Sequence, residues 1–304
     1  MRYRIVFFGT GEFACPSIEL IANHHNLVAC VSSAKPCPSK DLARKLGIKI
    51  FDPIDPNVDE FIEVLKTLAP EMLILADYGY ILSKELLGVP SIVSIGLHPS
   101  LLPAYRGAAP IQWVILNGES YTGITTFIMD PRIDHGNMLM QEQVEILPLE
   151  THGELEGRLA KIGARVMLET IDRFRELLPI LQPKVVNGMS YARKIGKELR
   201  KINWSFPANE IVNLVRALSP IPAAFTIFRD RRLEILKAIL SDKRSDVIIK
   251  KGAPGAIMIE KNRLLIGAGG RCVEVLIVKP EGKREQTAID FINGYRPRVG
   301  ESME

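Results

Sequence analysis

The stretch RIVFFGTGEFACPSIEL, residues 4–20, decides the fold class. Residues 4–9 (RIVFFG) form a continuous apolar strand, followed by a glycine turn and a helical stretch over 13–23 (FACPSIELIAN). The same alternation continues outward. NLVACVSS (26–33) is a second strand, and SKDLARKLG (39–47) is a short helix ending at a glycine. IKIFDP (48–53) is a third strand, and VDEFIEVLKTLAP (58–70) is an amphipathic helix closed by Pro70. EMLILADYG (71–79) and PSIVSIGLH (90–98) are two further buried strands. Strands this apolar, separated by helices, predict an α/β domain with a Rossmann-like, mostly parallel sheet covered on both faces. GITTFIMD (123–130) and MLMQEQVEI (138–146) alternate apolar and polar residues, as a half-exposed hairpin does. A long amphipathic helix is expected from Thr151 to Leu178, with Thr151 and Glu154 as its capping box.

Beyond LLPILQPKVVNG (177–188) the pattern changes. One short helix, PANEIVNLVRALSP (207–220), precedes five brief strand segments separated by turns: 223–230, 231–240, 255–262, 263–270 and 273–282. That is the profile of a small β-barrel. The expected organisation is an α/β domain over 1–183, a basic linker over 184–205 and a small barrel over 206–304. No internal repeat and no low-complexity tract interrupts it.

Charge divides along the same line. Residues 1–183 carry 16 Lys and Arg against 22 Asp and Glu, a net −6, whereas residues 184–304 carry 23 against 13, a net +10. An acidic first half joined to a basic second half points to a polyanionic partner for the second. No apolar run approaches the roughly 18–20 residues that span a bilayer. The first residues run straight into a strand without signal-peptide anatomy, so a cytoplasmic protein without membrane contact is expected. Cys15, Cys30, Cys37 and Cys272 show neither CxxC nor metal-ligand spacing. Reduced side chains and no structural metal follow. Gly9-Thr10-Gly11-Glu12-Phe13-Ala14 fits the G-x-G-x-x-A pattern of dinucleotide sites, but the second strand ends in LVACVSS without the acidic residue that would hold a ribose. A tight strand–helix turn is the expectation there.

His98, one of five histidines, ends the apolar run SIVSIGL and precedes an SLLP turn. A parallel sheet places its ligand crevice at the carboxyl ends of its strands, where this residue falls. Asp134, in PRIDHGNM, follows the strand 123–130 and precedes another glycine. A carboxylate beside an imidazole orients the ring and favours its protonated form. Such a pair can take a proton from an attacking amine or stabilise charge in acyl transfer.

GLHPSLLPAYRGAAPIQWVILNGE (96–119) and TGITTFIMDPRIDHGNML (122–139) resemble the signature region of the 10-formyltetrahydrofolate-dependent formyltransferases. The likeness extends to RIVFFGTGEFA (4–14), DYGYILSKELL (77–87), KINWSFPANEIVNLVRALSPIPAAF (201–225) and DFINGYRP (290–297), nearly the whole chain. The nearest likeness is to the members that formylate an initiator methionyl-tRNA. The resemblance implies that His98 and Asp134 are catalytic. It implies that the folate co-substrate is held by the loop Tyr78, Gly79 and Ile81, by the turn Ser100, Leu101, Leu102 and Pro103, and by backbone near Ile133. It also implies a barrel resembling an OB-fold over 206–304 that grips tRNA, a monomer, and no metal. The chain departs from the family pattern at three places. Gly96 stands where the family has an Asn thought to polarise the formyl oxygen, a role that Gln112, Asn137 or a water would have to fill. VSSAKPCPSKDLA (31–43) runs directly where the tRNA enzymes carry a longer basic insertion. Asp77 replaces a small or apolar residue. Formyl transfer to a small amine, such as an amino sugar nucleotide, and a catalytically impaired tRNA-binding relative therefore stay open as alternatives.

Overall fold

The computed structural model describes residues 2–178, 188–244, 254–299 and 301–304; residues 184–187 of the expected linker lie outside the described residues. The chain divides into two compact units. Met1–Pro110, Tyr121–Glu145 and Glu156–Arg193 form the first, and Ile111–Ser120, Ile146–Leu155 and Lys194–Glu304 the second.

The first unit is built on β1 (Arg4–Phe8), β2 (Asn26–Val31), β3 (Ile50–Phe51), β4 (Met72–Ala76), β5 (Val93–His98), β6 (Tyr121–Ile128) and β7 (Met138–Glu145). Their order is β3-β2-β1-β4-β5-β6-β7. The first five strands run parallel and the last two antiparallel to their neighbours, so the hairpin extends the parallel sheet at one edge. The helices α1 (Cys15–His24), α2 (Pro38–Lys45), α3 (Asp59–Thr67) and α4 (Lys84–Leu87) follow β1 to β4 in turn. Phe61, Ile62 and Leu65 of α3 bury against Val6 and Phe8 of β1 and Leu73 of β4. Their i, i+1, i+4 spacing is the stripe by which a helix covers a sheet, and burying each contributes about 2 kcal/mol.

Three later helices are α5 (Pro110–Leu116), α6 (His152–Asp172) and α7 (Phe174–Leu177). The capping box forms: the Thr151 N–H donates to Glu154 Oε2 at 2.8 Å and the Glu154 N–H to Thr151 Oγ1 at 3.4 Å. The helix expected to run unbroken to Leu178 is interrupted at Arg173, whose backbone leaves the helical region with ψ 9°. Its guanidinium meets Glu169 and Glu176 on either side of the break.

The second unit holds α8 (Ala208–Leu218), then β8 (Ala224–Phe228), β9 (Arg231–Arg244), β10 (Ile257–Glu260), β11 (Arg263–Ala268), β12 (Arg271–Pro280), β13 (Gln286–Thr287) and α9 (Ala288–Tyr295). The antiparallel path is β10-β11-β12-β9-β8, with β13 on β12. The path itself is open. Residues 301–304 bind both of its edges: on β10 the Ile257 N–H donates to Glu301 O at 2.8 Å, and on β8 the Ile227 N–H donates to Glu304 O at 2.9 Å. The sheet so strapped wraps a core that includes Trp204, Ile211, Val215, Phe291 and Met303. Among the described residues no helix is long and apolar enough to cross a membrane.

His152, buried at the start of α6, has its pKa pushed down to about 4 by desolvation. In the unfolded chain an imidazole titrates near ~6.5, so below that pH the unfolded state binds a proton that the folded state refuses. Stability falls as pH drops from ~6.5 to ~4 and levels off below, a loss of about 3 kcal/mol in all. Urea denaturation at stepped pH checks this. His152→Leu is expected to flatten the acid limb; an unchanged limb would remove His152 as its source.

Candidate active site

His98 is the last residue of β5, at the carboxyl edge of the sheet, and is buried. Its Nε2–H donates to the Tyr105 carbonyl at 2.8 Å, which orients the ring and leaves Nδ1 facing Asp134 Oδ1 at 3.5 Å. Asp134 lies on the turn after β6 with φ +49°, a left-handed conformation that Asp tolerates better than most residues. Its second oxygen, Oδ2, accepts the Gly107 N–H at 2.8 Å. Both ends of the pair are thus anchored to one loop, 105–107.

That loop is itself held from far along the chain. The Tyr105 N–H donates to Ser190 Oγ at 2.9 Å, the Arg106 N–H to Ser190 O at 2.9 Å, and the Ala192 N–H to Arg106 O at 2.7 Å. Arg106 and Tyr191 form a parallel bridge. Nothing in the sequence marks Ser190 as a neighbour of the signature region; the pairing spans 85 residues. The turn carrying Asp134 is organised by Asp130, which accepts the Arg132 N–H at 2.9 Å and meets His135 Nδ1 at 3.2 Å.

The SLLP turn follows His98 directly. Thr125 Oγ1 donates to Ser100 O at 2.7 Å and accepts the Leu102 N–H at 3.1 Å, while Gln141 Nε2 donates to Leu102 O at 2.7 Å. Ser100 is fully buried and its hydroxyl donates to Ala104 O at 2.6 Å, so that side chain shapes the turn. Leu102 is buried too, whereas Leu101 and Pro103 are half-buried.

Tyr78, Gly79 and Ile81 form a separate loop after β4, tied to Asn57 through its Nδ2 bond to Ile81 O at 3.0 Å. Tyr78 packs edge-on against Phe8 with ring centroids 5.3 Å apart, and its buried hydroxyl has no partner among the described residues. Burial above all, then Tyr80 and Asp55, pushes that phenol up. Ile81 and Ile133 are exposed, as is Tyr80. Met129 packs against the core cluster on which Tyr78 also packs, and against the cluster of Leu102, Phe127 and Met138.

The glycine turn near the start is closed to phosphate. The Asp77 carboxylate accepts the Gly11 N–H, and a side chain at Gly11 would overlap Asp77 Oδ2. The amide that a pyrophosphate would use is therefore taken by an acid. Desolvation pushes Asp77 up, and Glu156 is pushed up first by burial and then by Asp77 and Glu12. Asp77 now has a physical role that the sequence left unexplained. Among the described residues no group of three His, Cys, Asp or Glu is placed to hold a metal ion.

An imidazole whose Nε2–H is fixed on a carbonyl and whose Nδ1 faces a carboxylate, at the carboxyl edge of an α/β sheet, is an arrangement able to take and return a proton. Residues 3–171 match the formyl transferase family and residues 194–296 the formyl transferase C-terminal domain, and the chain belongs to this family. It is 38% identical to the methionyl-tRNA formyltransferase of Thermodesulfovibrio yellowstonii, covering 100% of this chain and 99% of that one. It is 36% identical to the methionyl-tRNA formyltransferase of Carboxydothermus hydrogenoformans, with 99% of each covered. Among solved structures, HypX from Aquifex aeolicus in complex with tetrahydrofolic acid shares the fold at a TM-score of 0.66 and 16% identity. That match covers 99% of this chain and 49% of HypX, so the chain spans about half of that protein's length.

Proposed function

We propose that the chain transfers the formyl group of 10-formyltetrahydrofolate to the amino group of an initiator methionyl-tRNA. The observation that carries this reading is the end-to-end match, in both domains, with proteins named for that reaction. The amine nitrogen attacks the formyl carbon, the carbon–N10 bond breaks, and the amine proton must reach the departing N10. His98 Nδ1 takes that proton beside the Asp134 carboxylate, which stabilises the imidazolium, and then returns it to the folate nitrogen. The loop Tyr78, Gly79 and Ile81, the turn Ser100 to Pro103 and the backbone at Ile133 hold the folate. The linker 184–205 and the barrel 206–304, within a half of net charge +10, hold tRNA phosphates.

Salt dependence separates this reading from formyl transfer to a small amine. Each phosphate neutralised contributes about −0.7 to −0.9 to the slope of log affinity against log salt, so KM for methionyl-tRNA should rise about threefold per phosphate contact between 50 and 200 mM salt. An amino sugar nucleotide should show almost no slope. Turnover of the sugar nucleotide with a flat tRNA profile would replace the tRNA assignment.

A further inference from the structure

The ring of Phe127 sits between two glycines, one beside each member of the catalytic pair. Phe127 on β6 is directly opposite Gly96 on β5, and His98 opposite Thr125. Strand side chains alternate with period two, so Gly96, His98, Thr125 and Phe127 share one face of the sheet. A Cβ built at Gly96 would lie 2.5 Å from Phe127 Cζ and 2.7 Å from Cε1. A Cβ at Gly136 would lie 3.1 Å from Phe127 Cδ2 and would overlap the Ile128 carbonyl. Gly96 precedes His98 by two residues, and Gly136 follows Asp134 by two. The ring is buried, with Leu102 of the SLLP turn and Met138 packed against it.

We infer that Phe127 is the positioning residue of the His98–Asp134 pair: its ring fills the notch left by Gly96 and seats the Asp134 turn, through Gly136, at its distance from His98. This rests on the formyl-transfer reading for its kinetic consequence only. The ring and a side-chain amide at position 96 exclude each other, because both need the space above the Gly96 Cα. Gly96 is therefore one half of an exchange whose other half is Phe127.

The test uses the full chain with Phe127→Ala, Gly96→Asn and the double variant, plus Phe127→Leu should the alanine variant fail to fold. Displacing a reacting group by about 1 Å can cost about 10²-fold, so Phe127→Ala or Phe127→Leu should lower kcat about 10- to 100-fold while KM for both substrates moves less than about threefold. Gly96→Asn alone should lower the unfolding midpoint. Adding Phe127→Ala should recover stability, with the double variant better than the two singles combined predict. Two readouts need no formyl acceptor: the unfolding cycle, and the His98 ring signals in NMR, which should shift in Phe127→Leu and be left in place by Phe7→Leu, a change at a buried ring on β1. Loss of formyl transfer in the unmodified chain would sink the functional reading and leave these two readouts to judge the positioning. Additive unfolding effects, unmoved His98 signals, or a folded Phe127 variant with kcat within twofold would overturn the inference.

Discussion

His98→Ala is expected to lower kcat for formyl transfer by about 10³-fold, within the range attributed to a positioned acid or base. The ring presents Nδ1 to the Asp134 carboxylate, 3.5 Å away, and its other nitrogen is committed to Tyr105 O. Asp134→Asn keeps an acceptor for the Gly107 N–H and removes the charge, so its loss isolates electrostatics from loop anchoring. It should cost about 10²-fold, because an amide does not stabilise an imidazolium as a carboxylate does. The double variant should be little worse than His98→Ala, since the carboxylate acts through the ring. Single-turnover rates with saturating substrates measure all three. Losses that multiply would show two independent roles, and a near-normal rate in His98→Ala would end its assignment as the base.

The second large effect concerns stability. Residues 301–304 make four backbone hydrogen bonds to the two edges of the open antiparallel sheet: Ile257 to Glu301, Met303 to Gly255, and Ile227 with Glu304 in both directions. Met303 is buried in the core that this sheet wraps. At about 1 kcal/mol net per bond and about 2 kcal/mol for the side chain, removing 301–304 should cost roughly 6 kcal/mol. That is comparable to the whole stability of an ordinary domain. Met303→Ala alone should cost about 3 kcal/mol. Trp204 reports the change directly. It is buried, its Nε1–H donates to Thr226 Oγ1 at 3.0 Å, and that hydroxyl donates to Glu304 O at 2.9 Å. Urea unfolding followed by tryptophan emission should show a lower midpoint for Met303→Ala and, without 301–304, red-shifted emission even in dilute buffer. Unchanged midpoints would mean that the strap bears no load.

Both effects arise from contacts of very different sequence range, which sets what could be seen beforehand. The apolar runs of β1, β4 and β5 announced a parallel sheet because strands covered on both faces carry few polar positions. The Thr151–Glu154 box was legible because both partners lie within one helical turn. The break at Arg173 was not, since the apolar pattern continues through it and the ion pairs flanking it look like ordinary helix pairs. The strap at 301–304 carries no strand signature; it is four residues whose pairing is dictated by open edges elsewhere. In the site, His98 and Asp134 were visible through the signature that surrounds them. Ser190 and Phe127 were not. Ser190 acts through its side-chain oxygen on a loop 85 residues earlier. Phe127 resembles any alternating strand residue until its two glycine neighbours are brought to it. Gly96, seen alone, was a missing donor; seen with Phe127, it is the space a ring requires.

Formyl transfer to the methionyl amine is read out by mixing the protein with 10-formyltetrahydrofolate labelled in its formyl group and with initiator tRNA, methionylated or uncharged. The label should enter the methionylated tRNA in amounts that follow enzyme concentration, be recovered as N-formylmethionine after hydrolysis of the ester, and be missing from the uncharged tRNA. Equal labelling of both tRNAs, or none of either by a folded protein, would contradict formyl transfer to the methionyl amine.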